Sequence, residues 1–469
     1  DSGFGRLLEA VGTPEWLKVL LADGIGGGIT TVSTFIPPIF FLFLFLAMLE
    51  DSGYMARAAF VMDRVMRALG LPGKAFVPLI VGFGCNVPAI MATRTMDKAT
   101  DRIITIMMAP FMSCGARMPV YVLFATAFFP TNGQNLVFGI YVIGIIAAII
   151  TGFLIKRVVL PGDVSAFVME IPPYHIPTVK GVMMRTWDRL KAFLNRAGKV
   201  IVVICAVLGF LNSWGTDGSF GNEDSEKSVL SEIGYTIAPV LSPMGVTQEN
   251  WPAAVGVFTG IFAKEAVVGT LNSLYDQMAR DKNAEAAGEG AAAPAEEEAD
   301  EGWSLGAILS EAGGTIVDNL ADLGSALTDP LGVAVDDLSD TAAAAESQEV
   351  TVTTIDMMQK LFGSQLAAFA YLMLVLLYMP CVAAIAAVYR EAGAAWTLFL
   401  AAWTTVLGYS TATIVYRVGT FAQDPLYATV AIVISLGLLA SLLFFMRNYV
   451  KNNRGKGPKV IPIAVAQPS

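Results

Sequence analysis

Seven long apolar runs, at residues 29–49, 101–128, 134–156, 198–214, 362–390, 394–416 and 424–446, leave this 469-residue chain little choice of fold. About 20 apolar residues in a helix cross the hydrocarbon of a bilayer. With 55% hydrophobic and only 15% charged residues, the chain is too apolar for a water-soluble globule. The expectation is an all-α polytopic membrane protein in contact with membrane lipid, with about seven crossings.

Charge orients those crossings. Residues 276–355 hold 18 acidic against 2 basic residues, so the rest of the chain is mildly basic although the whole carries −10. Basic residues cluster at 57–74, 94–102, 156–199 and 447–459, and by the positive-inside rule these segments face the cytoplasm. The C-terminus is then inside and, with an odd number of crossings, residue 1 is outside. The opening DSGFGRLLEAVGTPEW has neither a basic leader nor an apolar core and lacks a starting methionine, as expected of a piece of a longer chain. Four cysteines, all within apolar segments, do not make a disulfide framework, and the single histidine, His175, excludes an imidazole-rich metal site.

Lipid punishes unpaired backbone, yet PLIVGFGCNVPAIMATR at 78–94 interrupts an apolar run with Pro78, Gly82, Gly84 and Pro88. Such irregular backbone is tolerated at membrane depth where it lines protein or a water-filled cavity, and broken helices of this kind meet near the midplane in transporters built from inverted repeats. VFTGIFAKEAVVGTLNSLY at 257–275 looks like a second copy. Asn86 pairs with Glu265 and Pro119 with Pro380, the second offset exceeding the first by about the length of the acidic insertion. The organisation read from this is an external segment 1–28, a first repeat 29–160, a cytoplasmic loop 161–197, a second repeat in two parts at 198–275 and 356–422, the insertion 276–355 between them, and a last helix with a basic tail at 423–469. Short helices are expected in the insertion around LGAILSEAGGTIVDNLADLGSAL. In the loop, Met183, Trp187, Leu190, Leu194 and Ala197 form an apolar stripe suited either to the membrane interface or to packing on the bundle. YMARAAFVMDRVMRALG at 54–70 is a similar helix.

The ligands available at the interruptions are soft or small. Cys85 lies in GCNVP, Cys114 in APFMSCGARMP and Cys381 in YMPC, each beside a proline or glycine. Thiols, with the thioethers of Met107, Met108, Met112 and Met379, suit a transition metal, and Asn86 and Ser113 add oxygen. Cys205, with no breaker nearby, reads as a small hydrophobe. Intramembrane charges are expensive and therefore functional candidates. Lys264 and Glu265 fall inside an apolar run, where they are expected to pair with Arg117 or Asp51 or to attract a cation. Glu50 and Asp51 end an apolar run, either as entrance ligands or as a helix end in water. No phosphate-binding loop is present, since GIGGGITT and GLPGKAF both lack the required pattern, so this chain alone is not expected to hydrolyse nucleotides.

Together LEDSGYMARAAFVMDRVMR, GLPGKAFVPLIVGFGCNVPAIMATRTM, MMAPFMSCGARMPVY, GIFAKEAVVGTLN and YMPCVAAIAAVYRE resemble the membrane domain of the ferrous iron transport protein B family, over nearly the whole chain. The resemblance implies two inverted Gate-type repeats with broken or re-entrant helices, in a bacterial inner-membrane Fe(II) importer. It implies an iron path through Cys85, Cys114 and Cys381. It also implies a GTPase domain, with its GTP and Mg(II), that has no counterpart in this sequence, and a small accessory protein of the FeoA type. The full set of candidate metal ligands is then Cys85, Cys114, Cys381, Asn86, Met112, Met379, Glu50, Asp51 and Glu265. Residue chemistry alone leaves copper(I) open beside iron. A homo-oligomer is compatible with the sequence, and no nucleic-acid partner is indicated. Two other readings compete: a carrier of nucleoside-like solutes, which would draw on Asn86, Asn272 and Tyr409, and a membrane sensor of thiol oxidation.

Overall fold

A computed structural model of the chain describes residues 13–130, 132–161, 173–223, 225–287 and 350–452. The expected short helices of the insertion and the side chains of Arg196 and Ala197 lie outside the described residues. Among the described residues the architecture is helical, with a single isolated bridge, Gly215 to Ser228.

Two series of helices follow the same order. The first is α1 (Gly27–Asp51), α2 (Tyr54–Ala68), α3 (Phe76–Gly84), α4 (Asn86–Ala92), α5 (Ala99–Met108), α6 (Met118–Phe128) and α7 (Gly133–Leu154). After α8 (Val179–Phe193), the second runs α9 (Lys199–Ser213), α10 (Val229–Leu241), α11 (Trp251–Phe262), α12 (Ala266–Ala287), α13 (Val352–Phe362), α14 (Gln365–Leu377), α15 (Val382–Ala392) and α16 (Ala394–Gly419), and α17 (Pro425–Asn452) ends the described chain. Among the described residues, six segments are long and apolar enough to cross a membrane: Val19–Asp51, Ala99–Phe128, Gly133–Val159, Gln365–Ala392, Ala394–Gly419 and Pro425–Asn452. The seventh expected crossing, 198–214, corresponds to the shorter α9. It gains length by continuing from α8 through a π-helical turn, Leu194–Gly198.

The interrupted runs are hairpins. Helices α3 and α4 double back at Cys85, and their outer ends are tied by Lys74 to Asp97 at 3.0 Å. Helix α2 meets the α3 arm at 106°, as a helix along the surface meets one entering the bilayer. The matching hairpin, α11 and α12, turns at Ala263–Glu265, and the Tyr275 hydroxyl joins its arms by donating to Asn250 Oδ1 at 2.6 Å.

Contacts at the two ends show that the copies are inverted. At one face, Glu391 at the end of α15 receives Arg94 just beyond α4, at 2.7 Å from Nε, and also Arg102 in the first turns of α5. At the other face, Gln359 in α13 and Gln365 at the start of α14 donate to the carbonyls of Ala127 and Phe128, which end α6, at 2.6 and 2.8 Å. Thus α5 starts where α15 ends, whereas its counterpart α14 starts where α6 ends. The counterparts α1 and α9 also lie antiparallel: a Cβ placed on Gly24 would sit 2.8 Å from Ala206 Cα, and one on Gly28 3.0 Å from Val202 Cα. Small residues let the two backbones approach this closely, which is how helices associate in lipid.

Two further glycines brace the broken crossings. A Cβ on Gly144 of α7 would lie 2.7 Å from the Phe111 carbonyl oxygen, and one on Gly408 of α16 would lie 2.8 Å from the Tyr378 backbone nitrogen. Both obstacles are main chain, which cannot rotate aside. Gly144→Val is therefore expected to cost about 1–3 kcal/mol of stability, measured as a lowered unfolding midpoint in detergent; a midpoint equal to wild type would show that α7 slides freely past the break.

Helix α8 divides its expected apolar stripe between the two readings. Its buried face is Val182, Thr186 and Leu190, packed beside α1, while Met183 and Trp187 of the anticipated stripe are 44% and 60% exposed. The helix continues into α9 against the antiparallel α1, and that direction, rather than the best apolar stripe, decides which residues turn inward.

Candidate functional site

Four chain breaks converge between the repeats. At the hairpin tips, Cys85 (φ −155°, ψ 132°) and Ala263 (φ −144°, ψ 120°) are extended residues between helices. The crossing α5/α6 is broken from Ala109 to Arg117, with Met112 and Cys114 extended (ψ 122° and 159°), and α14/α15 is broken at Tyr378 and Cys381 (ψ 177° and 153°). Each break leaves helix ends whose last carbonyls and first N–H groups have no partner in their own helix. In membrane proteins such ends bind ions.

The tips touch the broken crossings in matching ways. A Cβ on Gly82 would lie 3.0 Å from Met112 Cβ, and Gly260, three residues before the second tip, packs against the ring of Tyr378 and Val267. Gly115 approaches the Gly84 carbonyl. This geometry refines the register read from sequence. Counted from the end of the first arm, Cys85 corresponds to Ala263 and Asn86 to Lys264, whereas counted from the start of the second arm Asn86 corresponds to Ala266; Pro119 lies inside α6, whereas Pro380 precedes α15. The two prolines sit on opposite sides of the helix start because the two breaks differ in length, Ala109–Arg117 against Tyr378–Cys381.

Cys85, Cys114 and Cys381 come together: each lies within electrostatic range of the other two, and Glu265 is within range of Cys85 and Cys381. All three thiols and Glu265 are half-buried, and Gly84 and Gly115 beside them are exposed, so the convergence is accessible. Asn86 and Met112 are buried in its wall, and Met379 is half-buried beside Cys381. Asn86 Oδ1 is buried without a hydrogen-bond partner. Among the described residues, no three His, Cys, Asp or Glu side chains form a closed metal-binding group. The thiols are neighbours without being gathered into a cage.

Other candidates are engaged elsewhere. Glu50 and Asp51 pair with Arg189 and Arg185 of α8 at 2.6 and 2.8 Å, so they anchor that helix, and Asp51 is not the partner of Lys264. Cys205 lies in the α9–α1 contact, beside Gly28. Lys264 is 2% exposed, with its ammonium 3.0 Å from the centre of the Tyr378 ring. Arg117 donates Nη1 to the Pro110 carbonyl at 3.1 Å, a backbone acceptor in place of the expected carboxylate. Tyr378 has no signal in the sequence beyond adjacency to a break; only the packing of α16 and the second hairpin brings its ring under Lys264.

The fold and these four breaks define a polytopic helical membrane protein with two inverted repeats, each carrying a re-entrant hairpin and a broken crossing. Family comparison agrees: the model for the Gate family, described as "Nucleoside recognition", matches residues 32–128 and 194–395, and that for "Ferrous iron transport protein B C terminus" matches 137–189. The chain belongs to the Gate family and, within it, to the ferrous iron transport protein B family. It is 44% identical to proteins named Fe(2+) transporter FeoB from Salmonella typhi (over 419 residues, 89% of this chain and 51% of the relative), Shigella flexneri (433 residues, 91% and 53%) and Escherichia coli strain K12 (431 residues, 92% and 52%). The chain thus spans about half the length of these curated relatives. No solved structure matches it significantly.

Proposed function

We propose that the gap between the hairpin tips is a path for ferrous iron into the bacterial cytoplasm. The observation that carries this reading is that three cysteines distant in sequence stand at three separate chain breaks that converge. An ion that must leave again is held best by an incomplete shell, here thiols from both repeats together with freed carbonyls, the Met112 and Met379 thioethers, Asn86 and water. Glu265 supplies a carboxylate at the gap. The names of the curated relatives support Fe(II) as cargo.

The rest of the mechanism is also proposed. The protein sits in the inner membrane with the Arg94–Glu391 face and the C-terminus toward the cytoplasm, following the basic clusters. Its work as a transporter is linked to GTP and Mg(II) through a GTPase domain of the full-length protein, and a small accessory protein of the FeoA type and self-association complete the assembly. The description of the Gate family favours one alternative cargo, a nucleoside. Two of the side chains that reading would draw on are committed elsewhere: Asn272 Oδ1 accepts from Thr351 and Thr354, and Tyr409 donates to the Val240 carbonyl at 2.9 Å.

Flux into vesicles carrying the full-length protein separates the readings. Radiolabelled Fe(II) is expected to accumulate and uridine is not; uridine uptake without iron uptake would overturn the iron path. Redox-dependent thiol labelling with no flux of either would favour the sensor.

A further inference from the structure

Two cationic side chains are buried where a cation is meant to pass. Arg117 is 1% exposed and Lys264 2%. They feel each other's charge directly, and both feel Cys114 and Cys381. Arg117 Nε, Lys264 Nζ and the Tyr378 hydroxyl are each buried without a hydrogen-bond partner, and the ammonium has only the face of Tyr378 beneath it. A buried, unpaired donor forfeits its hydration, and an uncompensated charge loses more. Glu265 lies in the same turn and within electrostatic range of Lys264, but among the described residues it makes no ion pair or hydrogen bond with either basic side chain, so the three donors stay unpartnered.

The surroundings add to the same sign. Helix α15 starts at Cys381, one end of the break that holds Tyr378, and the first turn of a helix carries the positive end of its dipole. Three buried, unpartnered donors, two of them on basic side chains, lie within electrostatic range of one another, next to a helix N-terminus and to the half-buried thiols. What they lack is an acceptor.

We propose that a small monovalent anion, of the size of chloride or formate, binds between Arg117 and Lys264 at the Tyr378 hydroxyl. It serves as a counter-charge to Arg117, and to Lys264 when that amine is protonated, and so lets a divalent cation approach the thiols. The inference uses the same gap as the proposed iron path. Binding of the anion, however, does not depend on what the cargo is.

The test compares thermal unfolding of the full-length protein in chloride, formate and gluconate at equal ionic strength, without metal. A ligand that binds the folded state raises the midpoint. Chloride, formate or both are expected to raise it by about 1–3 °C over gluconate, which is too large for the site, and the more effective salt identifies the anion. Lys264→Met is expected to abolish the difference between salts, while Lys180→Met, on an exposed face of α8, retains it. Identical curves for the wild type in all three salts would overturn the proposal whether or not the variant folds; so would a salt difference that persists in Lys264→Met. In vesicles, Fe(II) uptake is expected to fall several-fold when gluconate replaces the effective anion. Because the unfolding comparison needs no iron, failure of the anion site and failure of the iron path give different results.

Discussion

Replacing Glu391 with alanine is expected to destabilise the protein by about 3–5 kcal/mol. The carboxylate is 3% exposed and joins the end of α15 to a stretch of chain nearly 300 residues earlier, receiving Arg94 at 2.5 Å from Nη2 and the buried Arg102. The pair itself contributes less than that figure, because burying both charges costs much of what their attraction returns. The loss comes from stranding Arg102, 5% exposed, without its partner. A second variant separates these effects: Glu391→Ala combined with Arg102→Met removes the stranded charge and should recover most of the stability. Denaturant unfolding in detergent measures both, and a single mutant within about 1 kcal/mol of wild type would show that the triad does not clamp the repeats.

The second large effect concerns transport. Cys85→Ala and Cys381→Ala are each expected to lower Fe(II) uptake by at least about tenfold, since even partners outside the first coordination sphere are worth 10–100-fold in metal affinity. The folded protein should tolerate both, because each thiol is half-buried at a break and its removal leaves no closed cavity. Uptake is measured against the amount of folded protein in the membrane. Unchanged uptake in both variants would remove these thiols from the path and leave the carbonyls and Glu265 as the remaining ligands. Cys205→Ala, in the α1–α9 contact, serves as the control and should transport normally.

How much of this was legible beforehand depends on the kind of interaction. The interruptions around Cys85, Cys114 and Cys381 were visible because proline and glycine inside an apolar run conflict with a continuous helix in lipid, and that conflict is local. The repeat was visible too, but no single register aligns the two tips, whose turns differ in length. Helix breaks preserve the position of the turn in space rather than the residue type found there, and, counted from the first arm, Asn86 and Lys264 share a place without sharing chemistry. The pairing of Glu50 and Asp51 with α8 was not legible, because it depends on α1 and α9 lying antiparallel so that arginines reach back to the end of α1.

The amino-acid order by itself determined that this chain lives in a membrane, where its crossings fall, and where those crossings break, because hydrocarbon admits only backbone that satisfies its own hydrogen bonds and each exception is written in nearby residues. Tertiary structure alone decided which breaks meet, which buried charges share the gap and which carboxylates are consumed in clamps. Those outcomes depend on two inverted halves packing against each other. Contacts between residues hundreds of positions apart, such as Arg102 with Glu391 or Lys264 with Tyr378, leave no periodicity for a sequence to display.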